Sequence, residues 1–348
     1  MDGRALKAKP QRPAEARIAL IVLAVGLAAL AALIWVAGEN PLSVLGELLR
    51  GGFLTPTGLA DTVVRAIPLC LIGLGIVCSF RAGVFNIGGD GQLLIGACVA
   101  MAVAPFLAAL PFPLGLALLM LAGMAGGAFW GLIAGVMKAR FGANEIIATI
   151  MLNYIAAQLL SWLLRGPMQE KMRMFPRTEK LAEALRLPVL IEGTRISAGL
   201  LIAVVAVGVV WLLLGRSRWG YGVTLTGQNP DAARYGGFRP GFLTVSVLGV
   251  SGALAGLAGT VEIAGLHGRL QEGFATGFGI TAIAVALLAR LNPLWVPVTA
   301  FGFAGLYVGS STVARSSTVP FPVVNVIEAA IIMGFLALTV LRAKQSSE

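Results

Sequence analysis

Three polar side chains stand close together in the otherwise apolar stretch FNIGGDGQLLIGA, residues 85–97. Asn86, Asp90 and Gln92 offer amide and carboxylate groups, which suit the hydrogen-bonding chemistry of a polar site. Such groups cost free energy at membrane depth unless each has a partner, so the stretch predicts irregular backbone that faces protein or water. An alternative is that Asp90, nine residues after Arg81, lies near the cytoplasmic interface and pairs with a cation.

A second set of polar side chains lies in the stretch GANEIIATIMLNYIA. Asn144 and Glu145 suit the start of a helix, where a side-chain oxygen caps free N–H groups and a carboxylate favours the positive end of the dipole. Thr149 and Asn153 are four residues apart and share a helix face, which predicts a polar stripe directed into the bundle or a watered cavity. Tyr154 follows directly and is a further candidate.

Covalent catalysis is a weaker interpretation of the polar residues. Ser251 lies in GVSG, the serine motif of rhomboid-type intramembrane proteases, and a serine nucleophile needs a base within hydrogen-bond reach. The only histidine, His267, is sixteen residues further along, which is about 20 Å in a helix. The three cysteines show no metal-ligand spacing, and no HExxH or GxxxxGK[ST] motif occurs. The sequence therefore predicts no enzyme, and no metal or nucleotide cofactor in this chain.

The polar stretch GRSRWGYGVTLTGQNPDAARYGGFRP, residues 215–240, contains the signature of a very short helix. Asparagine is a good N-cap, proline suits the first helical position, aspartate favours the positive dipole end, and glycine ends a helix. A helix over 230–235 is too short to be stable alone in water, which favours a bound cytoplasmic partner. An ordinary capped connector is the alternative. The residues concerned are Asn229, Pro230, Asp231, Gly236 and the expected contacts Arg234 and Tyr235.

The elements that carry these stretches are membrane spans. Of 348 residues, 57% are hydrophobic and 12% are charged, about half the charged fraction of soluble proteins. A span needs about 20 apolar residues, and because two-residue alternation is missing, the spans must be α-helices. The sequence thus predicts an all-α polytopic membrane protein with a single membrane domain, 18–341, and the spans 18–37, 61–80, 84–104, 113–137, 144–164, 197–214, 241–262, 275–290, 293–309 and 321–341.

The net charge of +10 reflects membrane topology, because the cations lie at span ends and no basic patch with interleaved aromatics predicts nucleic-acid binding. We expect both tails, 1–17 and 342–348, to be cytoplasmic. Inner segments then hold 15 Lys and Arg against ten outside, and seven of those ten lie in the outer loop 165–196. The mixed charges of that loop predict a folded outer element, and a solvated loop is the alternative.

Two further patterns concern packing within the bundle. Four glycines fall four residues apart on one helical stripe, where a neighbouring backbone approaches closely, and span 241–262 carries another pair. Arg65 and Glu328 lie inside spans near the same outer side, and the hypothesis is that they form an intramembrane ion pair, because unpaired charges there are costly. The four glycines are Gly123, Gly127, Gly131 and Gly135, and the pair is Gly252 and Gly256.

The order of the spans indicates two halves of opposite orientation. Five spans, the long outer loop and five more spans have the parity of an inverted repeat. The third span of each half is irregular, since 84–104 is broken by glycines and 275–290 is short and stopped by Pro293. Interrupted segments at matching positions point to a transport pathway.

Three stretches together resemble the signature segments of a known family. FRAGVFNIGGDGQLLIGA, ANEIIATIMLNYIA and GQNPDAARYGG are similar to segments of permease subunits of bacterial ABC importers in the branched-chain amino acid, ribose and nucleoside group. The likeness extends over about residues 60–340 and is greatest to the longer permease of nucleoside-type systems. One departure is GGD, where relatives more often read GAE or GVE, so the acidic side chain is one methylene shorter here.

The resemblance implies half of a pore, paired with a second and commonly non-identical permease in the bacterial inner membrane. It also implies two cytoplasmic ATPases, which bind ATP and Mg, and an external substrate-binding protein. By position, residues 229–236 look like the coupling helix on the ATPase, and the two polar stretches look like the lining or support of the translocation pathway. The implied function is inward movement of a nucleoside or simple sugar by alternating access. An ion-coupled secondary transporter is the alternative.

Overall fold

The computed structural model describes residues 31–32, 35, 38–274 and 277–316. Most of the first predicted span, the whole last span, both tails and Glu328 lie outside these residues, so the predictions made for them stay predictions. The α-helices of the described part are α1 Pro41–Leu49, α2 Pro56–Arg81, α3 Gly89–Leu107, α4 Leu114–Phe141, α5 Glu145–Arg165, α6 Gly199–Arg216, α7 Arg218–Gln228, α8 Pro230–Tyr235, α9 Pro240–Glu262, α10 Phe278–Leu288 and α11 Val296–Ser316.

The helices confirm the prediction of an all-α polytopic membrane protein. Within the described part, seven helices are long and apolar enough to cross a bilayer, and α10 is a shorter apolar helix. They coincide with the eight predicted spans that fall in this part, although α3 begins at Gly89 because residues 84–88 run as irregular backbone. Two helices, α1 and α7, were not predicted. The signal for α1 is nevertheless in the sequence, since Asn40 caps it and Pro41 takes its first position.

Two buried helices form the centre of the bundle. α2 and α9 pack against each other; α9 also packs against α3 and α4, while α2 packs against α10 and α11. If the second half repeats the first, α9 corresponds to α2, and α10 and α11 correspond to α3 and α4. The two central helices thus have equivalent neighbours, which is the arrangement that an inverted repeat predicts.

The glycine stripe of α4 packs closely against a neighbouring helix, as the sequence predicts, and the structure identifies that helix as α9. A Cβ atom added at Gly127 would overlap the carbonyl oxygen of Gly252, and one added at Gly256 would overlap that of Gly123. Only hydrogen side chains permit this approach, and the dispersion contacts between the two backbones then hold the helices together.

The outer loop between α5 and α6 is a folded element, which decides between the two interpretations given above. Its backbone pairs with the segment after α9, since the Thr178 N–H donates to the Leu270 carbonyl at 2.9 Å and the Leu181 N–H donates to the Gly268 carbonyl at 2.7 Å. Leu185 of the loop is fully buried. The loop therefore holds in place the segment that leads into α10.

Candidate functional site

Asn86, Gln92 and Ser251 form a buried polar cluster where the chain enters α3. The Asn86 amide nitrogen donates to the Ser251 hydroxyl at 2.8 Å and to the Gln92 amide oxygen at 3.0 Å. The Gln92 amide nitrogen donates back to Asn86 at 3.2 Å, and the Gly88 N–H donates to the same Asn86 oxygen at 2.9 Å. Since Ser251 is the middle residue of α9, the cluster lies at mid-depth of the bundle. Each of these polar groups has a protein partner, and these hydrogen bonds offset the free-energy cost of burying polar groups at membrane depth.

The cluster also removes the protease interpretation. Ser251 is buried and its hydroxyl accepts from Asn86, whereas the Nε2 atom of His267 lies 3.3 Å from the Glu262 carboxylate at the outer end of α9. Ser251 and His267 thus have separate partners and do not form a pair of nucleophile and base.

Thr149 and Asn153 of α5 share a face, as predicted, and that face holds the irregular segment 84–88 and the first turn of α3. The Thr149 hydroxyl accepts from the Ile87 N–H at 3.3 Å. The Asn153 amide nitrogen donates to the Ile87 carbonyl at 2.9 Å, and its oxygen accepts from the Gly91 N–H at 2.8 Å. These two side chains therefore supply the hydrogen bonds that a continuous helix would have made for itself.

The start of α5 follows the predicted capping pattern and adds one contact. The Asn144 side-chain oxygen accepts from the N–H groups of Ile146 and Ile147. Glu145 forms an ion pair with Lys138, and its carboxylate also accepts from the Phe85 N–H at 3.4 Å. The helix start is thus joined to the end of α4 and to the irregular segment.

Asp90 connects the two interrupted helices. Its carboxylate oxygen Oδ1 accepts from the Gly279 N–H of α10 at 2.7 Å. Within the described residues it forms no ion pair, and Arg81 instead donates to the Leu291 carbonyl at 2.9 Å. The described residues therefore do not support the alternative that Asp90 pairs with a cation at the interface.

The depth of Asp90 follows from the length of α10. This helix has 11 residues, about 16 Å or half the thickness of a bilayer core of about 30 Å. Just beyond its far end, the Leu291 carbonyl accepts from Arg81 at the C-terminal end of α2. The first turn of α10, and with it the carboxylate of Asp90, consequently lies near mid-depth.

The exposed face of α5 carries polar side chains that the sequence reasoning missed, apart from Tyr154. Tyr154 is 67% exposed and lies outside the cluster of Asn86 and its partners. Gln158 and Arg165 are exposed one and nearly three turns further, and Ser161 between them is half-buried. The spacing of four, three and four residues would have found this stripe, because such positions share a helix face.

Glu272, from the segment before α10, completes the outer end of the stripe. Its carboxylate accepts from the Ser161 hydroxyl at 2.6 Å and from the Arg165 guanidinium at 3.0 and 3.2 Å. Two hydrogen bonds lower the pKa of the Glu272 carboxyl below its usual value. The one from Arg165 has the larger effect, and the one from Ser161 has the smaller effect. In the outer loop, the hydrogen bond from Arg177 likewise lowers the pKa of Glu170.

The predicted short helix is present as α8. The Asn229 side-chain oxygen accepts from the N–H groups of Asp231 and Ala232 at 3.0 and 3.1 Å, with Pro230 in the first position. The helix ends at Gly236 as predicted. Two of its side chains are available to a partner, since Tyr235 is 94% exposed and Arg234, which pairs with Asp231 at 2.6 Å, remains largely exposed.

Arg65 lies among aromatic rings within the described part. Its guanidinium carbon is 3.2 Å from the centre of the Tyr307 ring and 4.7 Å from that of Phe278. These cation–π contacts stabilise a charge inside a span. Because Glu328 lies outside the described residues, the proposed ion pair stays a prediction.

The site and the fold together define a class of protein. Two halves with equivalent packing, each with a helix interrupted near mid-depth, form the architecture of a membrane transport protein. Residues 58–341 match the family described as branched-chain amino acid transport system / permease component, and the chain belongs to this family.

Several curated relatives match nearly the whole chain. The glucose ABC transporter permease protein TsgB13 of Haloferax volcanii is 38% identical over 329 residues, covering 90% of this chain and 84% of the relative. The guanosine ABC transporter permease protein NupP of Bacillus subtilis is 33% identical, covering 91% of each. The nucleoside ABC transporter permease protein NupB of Lactococcus lactis is 29% identical, covering 92% and 90%. The resemblance to permeases of ABC importers is thereby confirmed.

Proposed function

We propose that this chain forms one half of the translocation pathway of an ATP-driven importer for a nucleoside or a simple sugar. The observation that carries the proposal is the exposed polar stripe Tyr154, Gln158, Ser161 and Arg165 on α5. A polar stripe along a span is too costly to face lipid, so it faces water or a second protein chain. The names of the relatives, which are permeases for glucose, guanosine and nucleosides, support the choice of solute.

In this proposal the residues at the pathway have two roles. Tyr154 and Gln158 line the pathway, where a phenol and an amide hydrogen-bond to hydroxyl groups and base edges of a passing solute. Asn86, Gln92, Thr149 and Asn153 support it, because their hydrogen bonds fix the irregular segment beside α5. A second, similar permease supplies the opposite wall, and the solute passes between the two chains.

Energy enters through α8. Tyr235 and Arg234 present an exposed surface on the cytoplasmic side, and a helix of six residues is stabilised by a groove on a partner. The partner is an ATPase that binds ATP and Mg, whereas this permease chain binds neither and catalyses no covalent step. Closure of two such ATPases moves the coupling helices, and the permeases alternate between outward and inward access.

The solute arrives from an external binding protein that docks on the outer loop. Arg173 and Lys180 are exposed there and suit carboxylates on such a partner. Arg177 of the same loop is already paired with Glu170 at 2.6 Å, and its role is to hold the loop together. In this proposal the chain lies in the bacterial inner membrane, and both termini are in the cytoplasm.

The test is uptake of radiolabelled guanosine and glucose by vesicles that contain this chain with its genomically neighbouring ATPase, second permease and binding protein. We expect uptake of one of these solutes that requires ATP, and an about tenfold loss in the variant Gln158→Leu, which keeps the volume and removes the amide. The matched control is Phe129→Leu on the exposed face of α4, which should leave uptake unchanged. Uptake driven by an ion gradient without ATP would favour the secondary transporter and overturn the proposal.

A further inference from the structure

The two interrupted helices share a feature at their first turns, since neither helix is capped by the side chain of its own N-cap residue. α3 begins after Gly88 and α10 begins after Gly277, and neither glycine has a side chain that accepts from the helix. The first N–H groups of a helix need acceptors, and at mid-depth of a membrane water supplies few. Partners must therefore come from elsewhere in the fold.

One acceptor for each of these first turns is supplied by a neighbouring helix. The Asn153 side chain of α5 accepts from the Gly91 N–H of α3 at 2.8 Å. The next residue back, Asp90, extends from α3 and accepts from the Gly279 N–H of α10 at 2.7 Å. The contacts thus run in series from α5 through α3 to α10, with residues 90 and 91 as the shared link.

The contact between α3 and α10 depends on two glycines. A Cβ atom added at Gly279 would lie 2.6 Å from the backbone nitrogen of Asp90, and one added at Gly89 would lie 3.1 Å from the Cα atom of Gly279. This close approach is what lets the short aspartate side chain reach across. The carboxylate then lies at the positive ends of two helix dipoles, where a negative charge is stabilised by both.

We propose that Asp90 is a positioning residue that latches α10 onto α3, and that α10 must leave this latch when the pathway opens. The far end of α10 is tied separately, because Arg81 donates to the Leu291 carbonyl at 2.9 Å. Release at the Asp90 end lets the first turn move while the inner end stays anchored. The role in opening rests on the proposed function, whereas the latch itself is a property of this chain and is measured without a solute.

The test is hydrogen exchange of the full chain in lipid nanodiscs, followed by mass spectrometry of the peptide that covers α10. In Asp90→Ala, the first turn loses a charge-assisted hydrogen bond, and we expect its amides to exchange about tenfold faster or more. Peptides of α2 and α9 should stay within about twofold of the parent. Glu192→Ala, at an exposed position of the outer loop, is the control for loss of a carboxylate.

A second variant keeps the carboxylate and displaces the helix. Gly279→Ala should also accelerate exchange in α10, since its methyl group collides with Asp90. Gly302→Ala is the matched control, because a Cβ there would meet no atom within 4 Å. The latch is refuted if α10 exchanges at the parental rate in both Asp90→Ala and Gly279→Ala, or if every helix accelerates together. Because no solute is present, loss of uptake in the earlier experiment would not affect this result.

Discussion

The exposed faces of α4 and α6 differ in chemistry from the exposed face of α5. On α4 and α6 the exposed large side chains near the helix centres are apolar, for example Leu121, Phe129, Val204 and Val205. On α5 the exposed face combines apolar residues with the polar stripe that begins at Tyr154. All three helices are long enough to span and similarly exposed, so exposure alone does not tell which surface meets lipid. The polar groups indicate which surface does not face lipid, because hydrocarbon offers them no hydrogen bonds.

A lysine at the centre of each helix should affect α5 differently from α4 and α6. Phe129→Lys on α4 and Val205→Lys on α6 should each cost about 3 kcal/mol, the penalty for a lysine at the centre of a span facing lipid. Ile155→Lys, at the centre of α5 beside the stripe, should cost much less. The measurement is the fraction of folded protein recovered from membranes by size-exclusion chromatography.

The control for these variants is replacement by leucine at the same three positions, which should preserve the folded fraction. Equal losses for lysine in all three helices would show that α5 faces lipid as α4 and α6 do.

The face of α4 opposite its exposed apolar surface packs closely against α9 through the glycine stripe. Gly127→Ala places a methyl group against the Gly252 carbonyl oxygen and should destabilise the chain by about 1–3 kcal/mol, the usual cost of overpacking. Gly208→Ala on α6 is the matched control, since a Cβ there meets no atom within 4 Å. Thermal unfolding in detergent compares the two, and equal melting temperatures would contradict the close contact.

A smaller difference between the exposed faces of α5 and α6 is expected in their chemical accessibility. Single cysteines at Tyr154 and Gln158 should react with a water-soluble maleimide in intact membranes about tenfold faster than a cysteine at Val205, because the reactive thiolate needs water. The native Cys70, Cys78 and Cys98 are buried, so the background is low. Equal rates at the three positions would place the stripe in the same environment as α6.

The sequence predicts local features of this molecule well and its distant contacts poorly. Capping by Asn144 and Asn229 was predictable because the acceptor and the N–H groups lie within three residues of each other. The shared face of Thr149 and Asn153 was predictable from their spacing, but not that it would hold the segment before α3. Pairing of Asp90 with Gly279 joins residues 189 apart in the chain, and periodicity carries no information about such a pair.

One feature of the site was readable and was missed. Gln158, Ser161 and Arg165 continue the face of Tyr154 at helical spacing, but they are spread along a mostly apolar segment, whereas the polar residues at the start of α5 are dense. The partner of this face, Glu272, belongs to a segment 107 residues further along than Arg165. Its role in the site could only come from the fold.

The smallest effect we expect concerns the outer end of the stripe and depends on pH. The Arg165 guanidinium and the Ser161 hydroxyl lower the pKa of Glu272 from its usual 4.5. A carboxyl with a lowered pKa adds stability above its unfolded pKa, and that stability is lost as the pH falls through the folded pKa. The segment before α10 should therefore open more often once the pH falls below about 4.5, which limited proteolysis by pepsin over pH 2–5.5 would report.

Glu272→Gln should flatten this profile relative to the parent, whereas Glu183→Gln, at an exposed position of the same outer surface, should leave it unchanged. A profile that Glu272→Gln does not alter would mean that the ion pair adds nothing to the contact between α5 and this segment, and that the stripe is held by its other neighbours.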